Sequence, residues 1–114
     1  MKRIGEELPV LAFRSVDELR AWLIGNHETS DGIWLRIYKK HSGAPSVTFE
    51  EALDEGLCFG WSESTRRRGD RESYLQRFTP RRTKGTRSRR NQERIERLIK
   101  EGRMTPYGLK ALDL

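Results

Sequence analysis

Between Leu57 and Asn91 the chain turns from the apolar pentad Leu57-Cys58-Phe59-Gly60-Trp61 into a dense run of arginine. This stretch limits the fold most, because the pentad asks for burial while the residues after it must stay wet or meet an anion. A chain of 114 residues has room for one modest core, so both demands fall within a single domain, residues 1–114.

Charge divides along the same line. Residues 1–65 hold 7 Lys/Arg against 11 Asp/Glu, whereas residues 66–103 hold 15 against 5, and the net charge is +6. Such a gradient draws phosphates, nucleic acid or an acidic protein toward the basic half. The bland alternative is that these arginines are solvated or pair with the acidic half of the same molecule. Arginine outnumbers lysine 13 to 2 in the basic segment, and planar guanidinium forks suit phosphate and carboxylate better than ammonium does.

The apolar pattern predicts an α+β order: a small, mostly antiparallel sheet with three to four packed helices. Val10 to Phe13 reads as a short strand. Ser15 and Glu18 form a capping box for a helix that faces Val16, Leu19, Trp22 and Leu23 inward and stops at Gly25-Asn26. Ile33 to Lys40 alternates as a strand, with Ile33, Leu35 and Ile37 toward the core. Trp34, Arg36 and Tyr38 point the other way, onto a face expected to be covered by another element.

Thr48 and Glu51 make a second capping box, with Phe49, Ala52, Leu53, Gly56 and Leu57 buried. Glu50, Glu51, Asp54 and Glu55 form the expected wet side of that helix, and Gly60 its stop. Trp61–Arg67 and Ser73–Phe78 read as a hairpin turning through Arg68-Gly69-Asp70-Arg71. Thr79 to Gly85 is a basic loop. Thr86 or Ser88 starts a helix burying Ile95, Leu98 and Ile99, with Glu93–Arg97 and Glu96–Lys100 as surface pairs. Gly102 ends it, and Thr105-Pro106 opens a short last helix.

Catalytic signals are weak. Cys58, the one cysteine, lies in apolar company and reads as a buried hydrophobe rather than a nucleophile. His27 and His41 read as surface residues in loops, and their spacing with Cys58 matches no metal site. No glycine-rich nucleotide loop is present, so no cofactor is expected. Neither a signal segment nor an apolar run of membrane-spanning length occurs, so a cytoplasmic protein without membrane insertion is expected.

The order Leu57-Cys58-Phe59-Gly60-Trp61, Tyr74-Leu75-Gln76-Arg77-Phe78-Thr79-Pro80-Arg81-Arg82, Asn91 and Gly102-Arg103-Met104 resembles the YdeI/OmpD-associated family, also labelled bacteriocin-protection or OmdA-like. Trp22-Leu23, Gly32-Ile33-Trp34-Leu35, Lys39-Lys40 and Thr48-Phe49-Glu50-Glu51-Ala52 fit the same pattern. The chain departs from it at Ser62-Glu63-Ser64, where members carry Ile-Asp-Gly, and at Arg87, where they carry Trp. The resemblance implies a bacterial α+β protein with a protection-related role, and no catalytic residue set comes with it.

The leading reading is therefore a non-enzymatic stress- or protection-related protein with a basic surface for an anionic partner, nucleic acid among the candidates. Arg66, Arg67, Arg68, Arg77, Arg81, Arg82, Lys84, Arg87, Arg89 and Arg90 are the anion-contacting candidates, with Trp61 or Tyr74 as a stacking surface. One alternative is an enzyme for a small phosphorylated or carboxylated metabolite. Its pocket would lie near Trp61, with Glu63 as acid–base group and Arg77, Arg81 or Arg82 as clamp. Another is an interaction module for an acidic protein.

Overall fold

A computed structural model describes residues 8–81 and 89–114, apart from the side chains of Arg89 and Arg90. Strand β1 (Val10–Ala12) leads through helix α1 (Val16–Asn26) to β2 (Ile33–Tyr38), and a 3-10 turn at Lys40–Ser42 leads on to α2 (Phe49–Phe59). The hairpin β3 (Trp61–Arg68) and β4 (Ser73–Pro80) follows, then α3 (Arg89–Lys100) and α4 (Pro106–Ala111). The sheet runs β1-β2-β4-β3. β2 pairs with β4 and β4 with β3 antiparallel, while β1 joins β2 in parallel, so the α+β domain carries a mixed sheet.

Both predicted caps start helices, but only one box is complete. Thr48 and Glu51 exchange side-chain hydrogen bonds with each other's backbone N–H. Ser15 accepts from the Glu18 N–H, whereas the Glu18 carboxylate takes the Arg14 N–H instead of that of Ser15. α1 runs through Gly25 and is capped at His27.

The core lies between α1, α2 and one face of the sheet. Leu19, Leu23, Ile33, Leu35, Val47, Cys58, Trp61, Phe78, Ile95 and Leu98 are all buried there. Ile99 is 47% exposed, so α3 buries only Ile95 and Leu98 of its expected stripe. Gly108 explains how α4 docks: a Cβ there would sit 2.4 Å from the Leu57 and Cys58 carbonyl oxygens. The last helix therefore rests backbone-to-backbone on the end of α2, tied by the Thr105 N–H to the Cys58 carbonyl at 3.2 Å.

The expected wet side of α2 is corrected by ion pairs. Glu55 is fully buried, held by Arg20 Nη1 at 3.0 Å and by Arg103 Nη2. Asp54 is buried between Arg94 (2.7 Å) and Arg97 (2.8 Å), and Arg94 also reaches Glu50. Their length and flexible stems let arginines from α1, α3 and the following turn cover carboxylates that periodicity assigns to solvent. Arg97 thus turns to Asp54 and Glu101 rather than to Glu93. Part of the basic half is therefore internal counter-charge, and none of those arginines is among the anion-contacting candidates.

The second face of the sheet carries a different layer. Trp34 and Leu75 are buried there but stand outside the main core cluster. Among the described residues it is a guanidinium that caps the indole: Arg67 lies over Trp34 at 5.2 Å. The expected covering is present, but a side chain supplies it.

Candidate functional site

The β3–β4 hairpin builds a strongly charged concavity. Its turn is closed by Asp70, whose N–H donates to the Ser73 carbonyl at 3.1 Å. The Asp70 Oδ1 accepts from the Glu72 N–H and the Ser73 hydroxyl, both at 2.9 Å. These bonds, the Ser73 hydroxyl first, hold the Asp70 carboxyl below its ordinary pKa, and Arg36 at 3.5 Å adds to the effect. Gly69 is required because a Cβ would lie 2.6 Å from the Ser73 carbonyl oxygen.

Beside this turn lies a groove of about 640 Å³ lined by Lys39, Arg66, Arg67, Arg68, Asp70, Arg71, Ser73 and Tyr74. Five cations face one carboxylate, and that carboxylate is already engaged by the turn. Among the described residues, no carboxylate lies within ion-pair distance of Arg66, Arg67 or Arg68. All three are exposed on β3, at the edge of the sheet.

A bulge between Glu63 and Arg66 decides where these side chains go. The extra residue shifts the alternation, so Trp61, Glu63, Arg66 and Arg68 share one face and Arg67 takes the other. Arg66 accordingly covers Tyr74 (4.3 Å) and Phe49 (5.1 Å), while Arg67 covers Trp34. Buried Gln76 supports the bulge by donating its amide to the Thr65 carbonyl at 3.2 Å.

The other candidates separate. Arg77 lies opposite Trp34 on the second face of the sheet, and its Nε is buried without a hydrogen-bond partner among the described residues. Arg81 stands at the far end of the hairpin, its N–H donating to the Gly60 carbonyl at 2.8 Å. Arg82, Lys84 and Arg87 lie outside the described residues, as do the side chains of Arg89 and Arg90 at the start of α3.

Tyr74 reaches the groove, but Trp61 is 1% exposed and donates its indole N–H to the His27 carbonyl, which removes it as a base-stacking surface. Glu63 faces Phe78 across the hairpin and Arg77 lies on the opposite face; of that constellation, Trp61 and Arg81 line one cleft, without Glu63 or Arg77.

Cys58 is fully buried, with its thiol pushed up to about 11 by desolvation and then by Glu55. Such a thiol stays protonated and inert at neutral pH. His27 corrects a second expectation: it is buried between Phe59 (ring centroids 5.3 Å apart) and Tyr107 (4.3 Å) rather than lying in a surface loop.

His27 marks a second concavity, a cleft of about 560 Å³ at the Phe59-Gly60-Trp61 corner, lined also by Glu28, Arg81, Tyr107 and Lys110. The Phe59-Gly60-Trp61 corner and Arg81 were legible in advance. The signal for the rest was Tyr107 beside Gly108, a close-packing glycine within a short helix. Among the described residues no group of three or more His, Cys, Asp or Glu could hold a metal ion, and no helix is long and apolar enough to cross a membrane.

Fold and groove together define a small α+β domain that presents an arginine-rich hairpin at a sheet edge. The chain belongs to the family described as domain of unknown function DUF8412, which matches residues 11–111. No curated protein and no solved structure matches it significantly.

Proposed function

We propose that this domain is a non-catalytic binding protein whose β3–β4 hairpin engages the phosphate backbone of nucleic acid. The observation that carries this reading is the groove itself, in which Lys39, Arg66, Arg67, Arg68 and Arg71 surround one committed carboxylate. Charges on an edge strand also discourage sheet-to-sheet aggregation. That need alone does not account for cations contributed from β2's end and from the turn to the same concavity. Tyr74, half-buried in the groove wall, offers a ring beside the phosphate contacts. The ordered motifs from Trp22 to Met104 support kinship with the YdeI/OmpD-associated family and a protection-related role.

Fluorescence anisotropy with short single- and double-stranded DNA and RNA tests the reading. Binding at about 20 mM salt with micromolar affinity and a steep negative log–log salt slope is expected. Replacing Arg66, Arg67 and Arg68 by Gln should reduce that slope by about 2–3. Absence of binding at the lowest salt sinks the proposal.

A second reading rests on the edge position of β3. An extended acidic segment of a partner protein could add there as a further strand, with arginines meeting its carboxylates. Affinity for an oligoglutamate peptide exceeding that for nucleic acid would favour this reading.

A further inference from the structure

We propose that the cleft at the Phe59-Gly60-Trp61 corner is a binding site for a small organic anion, a carboxylate or phosphate group carried on a compact apolar body. Its volume of about 560 Å³ lies within the range of small-molecule sites. The lining shares no residue with the hairpin groove. The two sites occupy opposite ends of β4, separated by the length of an eight-residue strand, roughly 25 Å.

Among the described residues, neither Arg81 nor Lys110 is drawn into an ion pair, although Glu28 lines the same cleft. Glu28 lies 3.7 Å from His27 Nε2, and its carboxylate holds the Tyr107 phenol above its ordinary pKa. Elsewhere this molecule pairs Arg20, Arg94, Arg97 and Arg103 closely with its own acids. Two uncommitted cations at the rim of an aromatic-floored cleft are what a carboxylate or phosphate ester requires.

The walls are also pre-built, which lowers the ordering cost of binding. α4 is fixed by the Thr105 cap and by the Gly108 contact with α2. Gly60 adopts φ +77°, and a Cβ there would meet Ala111 at 2.9 Å, so only glycine lets the corner close against α4. The Tyr107 ring stands edge-on against buried His27, ring centroids 4.3 Å apart. Tyr107 and Pro80 supply apolar surface for the body of the ligand, and Arg81 and Lys110 bind its anionic group.

Amide-resolved NMR titration with phenyl phosphate, benzoate, phenol and inorganic phosphate tests the site. Phenyl phosphate or benzoate should saturate with a Kd between about 10 μM and 1 mM, shifting the amides of His27, Gly60 and Ala111. Whichever binds tighter identifies the preferred anionic group. Phenol should not saturate, and inorganic phosphate should bind at least about tenfold more weakly than phenyl phosphate.

The double variant Arg81→Gln/Lys110→Gln, with its dispersed spectrum retained, should lose at least about tenfold in affinity. Arg66→Gln/Arg67→Gln/Arg68→Gln should bind these probes as the wild type does. That arm separates failure here from failure of the nucleic-acid reading. Three outcomes overturn the proposal: no saturation at about 10 mM, shifts confined to the Gly69–Ser73 turn, or unchanged affinity in the double variant.

Discussion

The Arg67 guanidinium lies 5.2 Å from the centroid of the Trp34 indole, although β3 and β2 are separated by β4 and do not pair. The contact reaches across one strand and caps a tryptophan that stands apart from the main core. It also limits what Arg67 can give to a ligand, since moving it uncovers an apolar ring. Arg67→Ala should cost about 0.5–1 kcal/mol in stability and raise acrylamide quenching of Trp34 fluorescence. Unchanged quenching would show that the indole is shielded by other means.

Glu55 is a buried carboxylate with two guanidinium partners, Arg20 and Arg103, each about one-third exposed. Removing the acid leaves two cations facing each other across a desolvated spot. Glu55→Gln should destabilise the domain by about 3 kcal/mol, at the lower end for a broken buried pair because both arginines can turn back toward water. Urea denaturation checks the figure. Glu55→Ala combined with Arg20→Ala should cost less than the sum of the single changes, because the double variant removes both sides of one contact.

At Gly108 the fold tolerates no side chain. Its hypothetical Cβ would lie 2.4 Å from two carbonyl oxygens of α2, and backbone cannot swing aside as a flexible side chain can. Gly108→Ala should therefore lift α4 away and cost about 1–3 kcal/mol, despite alanine's better helix propensity. Thermal denaturation measures the loss, and amide shifts at Leu57 and Cys58 would show where it arises. A stabilised variant would contradict the backbone-to-backbone docking.

Much of the scaffold was readable in advance because its signals are local. The Thr48–Glu51 capping box, the Gly60 stop and the turn around Gly69 and Asp70 each depend on residues a few positions apart. What escaped depends on tertiary placement. Asp54 and Glu55 look solvated until arginines from elsewhere in the chain arrive beside them. The bulge before Arg66 reverses the side-chain alternation with no glycine or proline to announce it, so the faces of Arg66 and Arg67 follow from pairing alone. The groove was legible as a cluster of cations and the Phe59-Gly60-Trp61 corner as a place for a pocket, whereas the wall that Tyr107 and Lys110 add there required knowing where α4 docks.

Cys58 supplies a pH signature. Burial, and then the nearby Glu55 carboxylate, raise its thiol from 9.0 to about 11. Below pH 9 the thiol is protonated in folded and unfolded chains alike, and its contribution to stability is fully present. Between pH 9 and about 11 the unfolded chain releases a proton that the folded one retains, so stability falls as pH rises, approaching a loss of about 2–3 kcal/mol. Other groups titrate in this window, so the informative quantity is the stability of the wild type minus that of Cys58→Ala. That difference should be flat below pH 9 and decline steadily above it. A difference that stays flat to pH 11 would mean that Arg20 and Arg103 offset the desolvation of the thiolate, making Cys58 a reactive group rather than an inert piece of core.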